Sequence, residues 1–199
     1  MIRYGYKSGG KIILYINACV RAGSRTEELS RYLLSRLNDD FREVRLSESD
    51  FPEIDGPFIE KRSKLAGKGD FSDAMFDAAK VFSCADTIVI AAPYWDLSFP
   101  ALLKRYLEII NVVGLTFAYN EEGMPVGLCR AKKLYYITTA GGNILSDEFG
   151  FGYVKALAES FYHIPEIYQI KAEGLDIIGA DVHRILENAK ICIDRMISE

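Results

Sequence analysis

Three short segments carry residue types that can grip a phosphorylated, flat molecule. The first runs Asn17-Ala-Cys-Val-Arg-Ala-Gly-Ser-Arg-Thr26. An apolar run feeds it, and a helical pattern leaves it. Helix N-termini offer free N–H groups and a partial positive charge, which suit a phosphate. Ser24 and Thr26 add hydroxyls, and Arg21 and Arg25 add charge. The same residues also read as a Ser-x-x-Glu capping box, Ser24 to Glu27, which needs no ligand. The second segment is Pro93-Tyr-Trp-Asp-Leu-Ser-Phe-Pro100, with the single Trp of the chain between two prolines. It can wall a flat ring, or plug a core edge, as aromatic side chains often do. The third is Thr139-Ala-Gly-Gly-Asn143. Paired glycines let backbone approach a ligand closely, and they also make plain turns.

Neither GxGxxG nor GxxxxGK[ST] spacing is present, which disfavours a nucleoside triphosphate or a dinucleotide held in the Rossmann manner. No Ser–His–Asp set is evident. Cys19, Cys84, Cys129 and Cys192 lie tens of residues apart, so a zinc or iron–sulfur site of neighbouring cysteines is disfavoured. They read as free thiols of a reducing cytoplasm.

The elements around these segments alternate. Ile12–Ile16, Glu43–Ser47, Thr87–Ala92, Leu134–Thr138 and Ile167–Lys171 read as strands. Helical spacing falls at Arg25–Leu37, Ser72–Ser83, the stretch after Pro100, Gly152–Phe161, and from Asp181 onward. Asp50–Pro57 reads as loop from its prolines and glycine. Five strands alternating with helices predict an α/β fold: a parallel sheet covered on both faces. Ligands of such sheets sit beyond the carboxyl ends of the strands, so the loops after Ile16, Ala92 and Thr138 fall at one edge. Together they offer a phosphate cradle, an aromatic wall and a close backbone approach. Flavin mononucleotide has the matching parts: phosphate, ribityl chain and flat ring.

The 199 residues suit one globular domain, spanning 1–199. Apolar residues make up 49% and charged residues 26%, which argues against disorder. Net charge is −4 and the basic residues are scattered, so nucleic acid is a poor partner. The apolar runs are far shorter than the ~20 residues of a membrane helix, and Met1–Gly10 lacks the apolar region of a signal peptide.

The chain resembles the flavodoxin-like NAD(P)H-dependent FMN oxidoreductases, the group of NADH azoreductases and NAD(P)H quinone reductases. The resemblance rests on Asn17…Ser24-Arg-Thr26, on Ala92-Pro-Tyr-Trp-Asp-Leu-Ser-Phe-Pro-Ala-Leu-Leu-Lys104, on Thr138-Thr-Ala-Gly-Gly142, and on Gly114-Leu-Thr-Phe-Ala-Tyr119…Gly123…Gly127-Leu128 as a β-arm. It implies a flavodoxin-like three-layer sandwich with strand order 2-1-3-4-5, and a homodimer with its active sites at the subunit interface. It implies that Asn17, Ser24, Arg25 and Thr26 hold the phosphate and ribityl end of FMN. Pro93, Tyr94, Trp95, Asp96 and Leu97 then line the ring, and Thr139, Ala140, Gly141 and Gly142 close its other side. The acceptor pocket implied is Trp95 and Phe99, with Phe117 or Tyr119 from a partner subunit. NAD(P)H is the implied donor and a quinone, azo or similar aromatic compound the acceptor. The cofactor carries the chemistry, so no catalytic side chain and no metal are assigned. His163 reads as structural or surface. Azoreductases often carry Asn where Asp96 stands and Arg where Ala140 stands. A flavodoxin-type electron carrier and a non-catalytic FMN-binding interaction protein are the alternatives.

Overall fold

A computed structural model describes residues 11–198. The reading of Met1–Gly10 lies outside the described residues. Five strands form one parallel sheet: β1 (Ile13–Asn17), β2 (Phe41–Arg45), β3 (Thr87–Ala91), β6 (Lys133–Thr139) and β7 (Glu166–Ala172). Their order is β2-β1-β3-β6-β7, the expected 2-1-3-4-5 once the arm strands are set aside. β4 (Phe117–Tyr119) and β5 (Pro125–Gly127) pair antiparallel as that arm.

The central strands read as continuous apolar runs because both faces are covered. Leu14, Ile16, Ile88, Ile90, Leu134 and Tyr136 face one layer, where α3 (Asp77–Cys84) and α4 (Ala101–Ile110) pack. Ile13, Tyr15, Val89, Ala91, Tyr135 and Ile137 face the other, with α1 (Arg25–Leu37) and α6 (Val182–Ser198). Alternation along each strand deals successive side chains to opposite layers. The apolar stripe of α1 is Leu29, Leu33 and Leu34, all buried. Asn38 ends that helix in the left-handed region, its N–H bonded to the Leu34 carbonyl.

Some boundaries differ from the sequence expectation. Gly56 and Pro57, read as loop, begin α2 (Gly56–Ala66), with the Asp55 side chain accepting from the Phe58 N–H as N-cap. Proline is tolerated in a helix's first turn because its missing donor has no partner there anyway. The expected helix over Ser72–Ser83 is a 3₁₀ turn at Ala74–Phe76 followed by α3. The second strand starts and ends two residues earlier than expected, since Leu46–Glu48 turn into 3₁₀ geometry. The helix expected at Gly152–Phe161 is α5 (Phe151–Leu157), which widens into a π-turn over Ala158–Tyr162.

α4 starts at the carboxyl edge of the sheet, just after β3, and runs back to the amino edge. The arm therefore stands at the amino edge, on the π-turn. Gly127 meets the Tyr162 carbonyl so closely that a Cβ would overlap it.

Candidate active site

The loop after β1 opens on an Asx turn: the Asn17 carbonyl oxygen of the side chain accepts from the Cys19 N–H at 2.9 Å. Asn17 is fully buried, and its Nδ2 donates to Glu43 Oε1 at 3.0 Å. Its side chain thus shapes the loop from behind and does not line the cleft. Around it, Glu27 is bonded to both Arg31 and Arg45, and Arg31 also reaches Glu43 at 2.6 Å. The Arg45 hydrogen bond, followed by that of Arg31, outweighs burial and holds the Glu27 carboxyl below its ordinary range. Glu27 therefore does not reach back to Ser24, and the box is half made. Ser24 is the N-cap of α1, accepting from the Glu27 N–H at 3.3 Å. Burial pushes the Cys19 thiol up to about 11, so it is a protonated core group at neutral pH.

Gly23, at φ +70°, turns the chain into the helix. Beyond it, the first turn of α1 presents its N–H groups at the carboxyl edge of the sheet. Thr26 is buried, and its hydroxyl is 2.7 Å from that of Thr139. Arg25 donates to Asp176 Oδ1 at 2.7 Å and to the Leu175 carbonyl at 3.3 Å.

The aromatic loop is pinned by Tyr94 N–H to the Thr139 carbonyl at 3.0 Å. Trp95 and Ser98 then exchange both backbone hydrogen bonds, at 3.0 and 2.8 Å. The residues between them, Asp96 and Leu97, have φ of 49° and 66°, the signature of a type I′ turn built without glycine. Such backbone costs of order 1–3 kcal/mol per residue and collects at functional sites. Trp95 is about one-third exposed, and the Arg21 guanidinium lies 5.9 Å from its ring centroid.

The glycine loop continues the sheet. Ala140 N–H donates to the Ala172 carbonyl, and Asp176 N–H donates to the Gly141 carbonyl at 2.8 Å. Glu173 accepts the Ile144 N–H at 2.8 Å, which lowers its carboxyl below the ordinary range. Gly142 faces open space.

These loops enclose a cleft of about 400 Å³, within the ~300–1,000 Å³ usual for small-molecule sites. Of the residues singled out in the sequence, Ser24, Arg25, Thr26, Pro93, Tyr94, Trp95, Thr139, Ala140 and Gly141 line it. Asn17, Asp96, Leu97 and Gly142 fall outside the lining. Phe99 does too: it is a core residue packed on Tyr153 at 5.8 Å. Phe117 is buried against Phe161 at 4.6 Å, while Tyr119 is exposed on the arm, at the opposite edge. His163 is exposed, with φ 52°, where the π-turn ends ahead of β7, also at the amino edge. Val20, Arg21, Ala22 and Gly23 of the first loop line it too, and so do Leu175 and Asp176, which sequence reasoning missed. The strand-end rule that singled out three loops applies equally to the loop after β7.

The donor set at one end fits a phosphate: a helix N-terminus, hydroxyls and guanidinium groups. Trp95 and the backbone of Pro93–Trp95 and Thr139–Gly141 suit a flat heterocycle. Among the described residues no cluster of His, Cys, Asp and Glu could hold a metal ion. No helix among them is long and apolar enough to cross a membrane.

The sequence pattern of a family described by its flavodoxin-like fold matches residues 11–191, and the chain belongs to that family. It is 36% identical over 188 residues to FMN-dependent NADH:quinone oxidoreductase 2 of Clostridium acetobutylicum, covering 88% of this chain and 92% of that one. The fold is also that of an azoreductase from Bacillus anthracis, with a TM-score of 0.81 at 23% identity over 94% of this chain and 98% of that one. An FMN-dependent NADH-azoreductase from the same species, solved with FMN, superposes with a TM-score of 0.77 at 24% identity, over 94% and 98%.

Proposed function

We propose that this member of the flavodoxin-like fold family is an FMN-dependent NAD(P)H oxidoreductase, reducing a quinone, azo or similar aromatic acceptor. The observation that carries the reading is the single cleft joining the start of α1 to the Trp95 wall. The kinship to an NADH:quinone oxidoreductase over nine-tenths of both chains supports it. When bound, FMN supplies the two-electron relay between nicotinamide and acceptor.

The chain's own residues bind and orient. The first-turn N–H groups of α1, Ser24 and Arg25 hold the phosphate. Thr26 fixes that turn to the glycine loop through Thr139. The strained Asp96–Leu97 turn sets the aim of Trp95. Glu173 holds the glycine loop at Ile144. No side chain in the cleft is assigned a proton transfer. Trp95 offers a stacking face to nicotinamide and acceptor in turn.

The protein works as a homodimer in this reading, and residues 1–199 act as one domain. α2 packs only Leu65 and Ala66 against the core and fully buries none of its residues. On the arm, Tyr119, Met124 and Leu128 are exposed. In this reading the exposed Tyr119 serves a partner's cleft, whereas Phe117 is committed to Phe161.

The test is steady-state kinetics of the purified protein with NADH and a quinone. Parallel double-reciprocal lines are expected, since donor and acceptor share one face. Intersecting lines would contradict the shared face. Absence of turnover with every acceptor, with FMN bound, would favour an electron carrier or a binding protein.

A further inference from the structure

The carboxylate of Asp176 stands where a phosphate-binding cleft has least use for a negative charge. It lies 2.7 Å from the guanidinium of Arg25, the cation nearest the start of α1. Its backbone is fixed: Asp176 N–H donates to the Gly141 carbonyl at 2.8 Å, and Leu175 N–H donates to that of Ala140 at 3.2 Å. The side chain leans over Gly141 so closely that a Cβ there would overlap the carboxylate. Arg25 is further tied to the same loop by the Leu175 carbonyl at 3.3 Å. Both residues line the cleft with Ser24 and Thr26.

Resting on the FMN reading above, we propose that Asp176 is an internal competitor for the cofactor's phosphate. It engages Arg25 as a phosphate oxygen would, and a phosphate entering the cleft must draw the guanidinium away from it. The carboxylate also repels the incoming dianion. Asp176 thus tunes the cleft toward weaker, exchangeable binding of phosphorylated ligands. It leaves binding of the uncharged ring and ribityl chain alone. Replacing Asp176 by Asn keeps the shape and removes the charge, and the pair is half exposed, so the fold has little to lose.

The experiment measures dissociation constants of FMN and of riboflavin, which lacks the phosphate, for apoprotein of the natural sequence and of Asp176→Asn. Quenching of flavin fluorescence reports both. FMN is expected to bind about two- to fivefold tighter to the variant, the span of a half-exposed charge pair, while riboflavin binding is unchanged. Unchanged or weaker FMN binding would overturn the proposal, as would equal tightening of riboflavin. If neither protein binds FMN at all, the reading of the cleft fails and the proposal fails with it.

Discussion

Thr26 and Thr139 share a 2.7 Å hydrogen bond between hydroxyls, joining the start of α1 to the glycine loop after β6. Thr26 is almost wholly buried, so water cannot replace its partner. Thr139→Val is expected to cost about 1–3 kcal/mol, the cost of a buried hydroxyl left unpaired. The double change Thr26→Val with Thr139→Val should cost less than the sum of the single changes, because neither polar group then remains. Urea midpoints of the four proteins decide this.

Ser24 has two duties that one substitution separates. As N-cap of α1 its loss should lower apoprotein stability by about 0.5–2 kcal/mol. As a donor to a phosphate its loss should weaken FMN binding by roughly tenfold or more, the value of a hydrogen bond to a charged group. Thermal unfolding of the apoprotein and FMN titration of Ser24→Ala measure the two effects. A stability loss with unchanged FMN affinity would reduce Ser24 to its cap.

Leu97 occupies left-handed backbone at φ 66° with its side chain largely exposed. Leu97→Gly should relieve strain and raise stability by about 1 kcal/mol. The same change loosens the turn that aims Trp95, so the KM for a bulky quinone should rise. Paired unfolding and kinetic measurements check both signs.

The Glu27 carboxyl is held below its ordinary value of 4.5, first by its hydrogen bond from Arg45. A group depressed on folding contributes stability that is fully present above its unfolded value and is lost as pH falls through the folded value. Unfolding free energy should therefore drop on acidification below about pH 4.5. Glu27→Gln should be less stable at neutral pH and show a shallower acid decline. Urea unfolding across the acid range measures the difference.

Much of this arrangement is written in local patterns. The central strands are legible because burial on both faces leaves them almost without polar interruption, and the Asn17–Thr26 and Pro93–Pro100 loops stand out against them. α2 was not legible, because it packs only Leu65 and Ala66 against the core and fully buries no residue, and because Gly56 and Pro57 look like breakers. Asn17 has the residue type of a ligand-holder, yet its neighbours Glu43 and Cys19 absorb its side chain. That depends on β2 lying beside β1, a relation between residues 26 positions apart. Asp176 belongs to the cleft only through the pairing of the loops after β6 and β7, which no local spacing reveals.

The most direct test of the central claim follows the visible flavin band of the purified or FMN-reconstituted protein without oxygen. FMN, identified by mass after denaturation, should be the flavin released. NADH or NADPH should bleach the band, and a quinone added afterwards should restore it. Release of FAD as the main species, or a bound flavin that neither nicotinamide bleaches, would contradict the account.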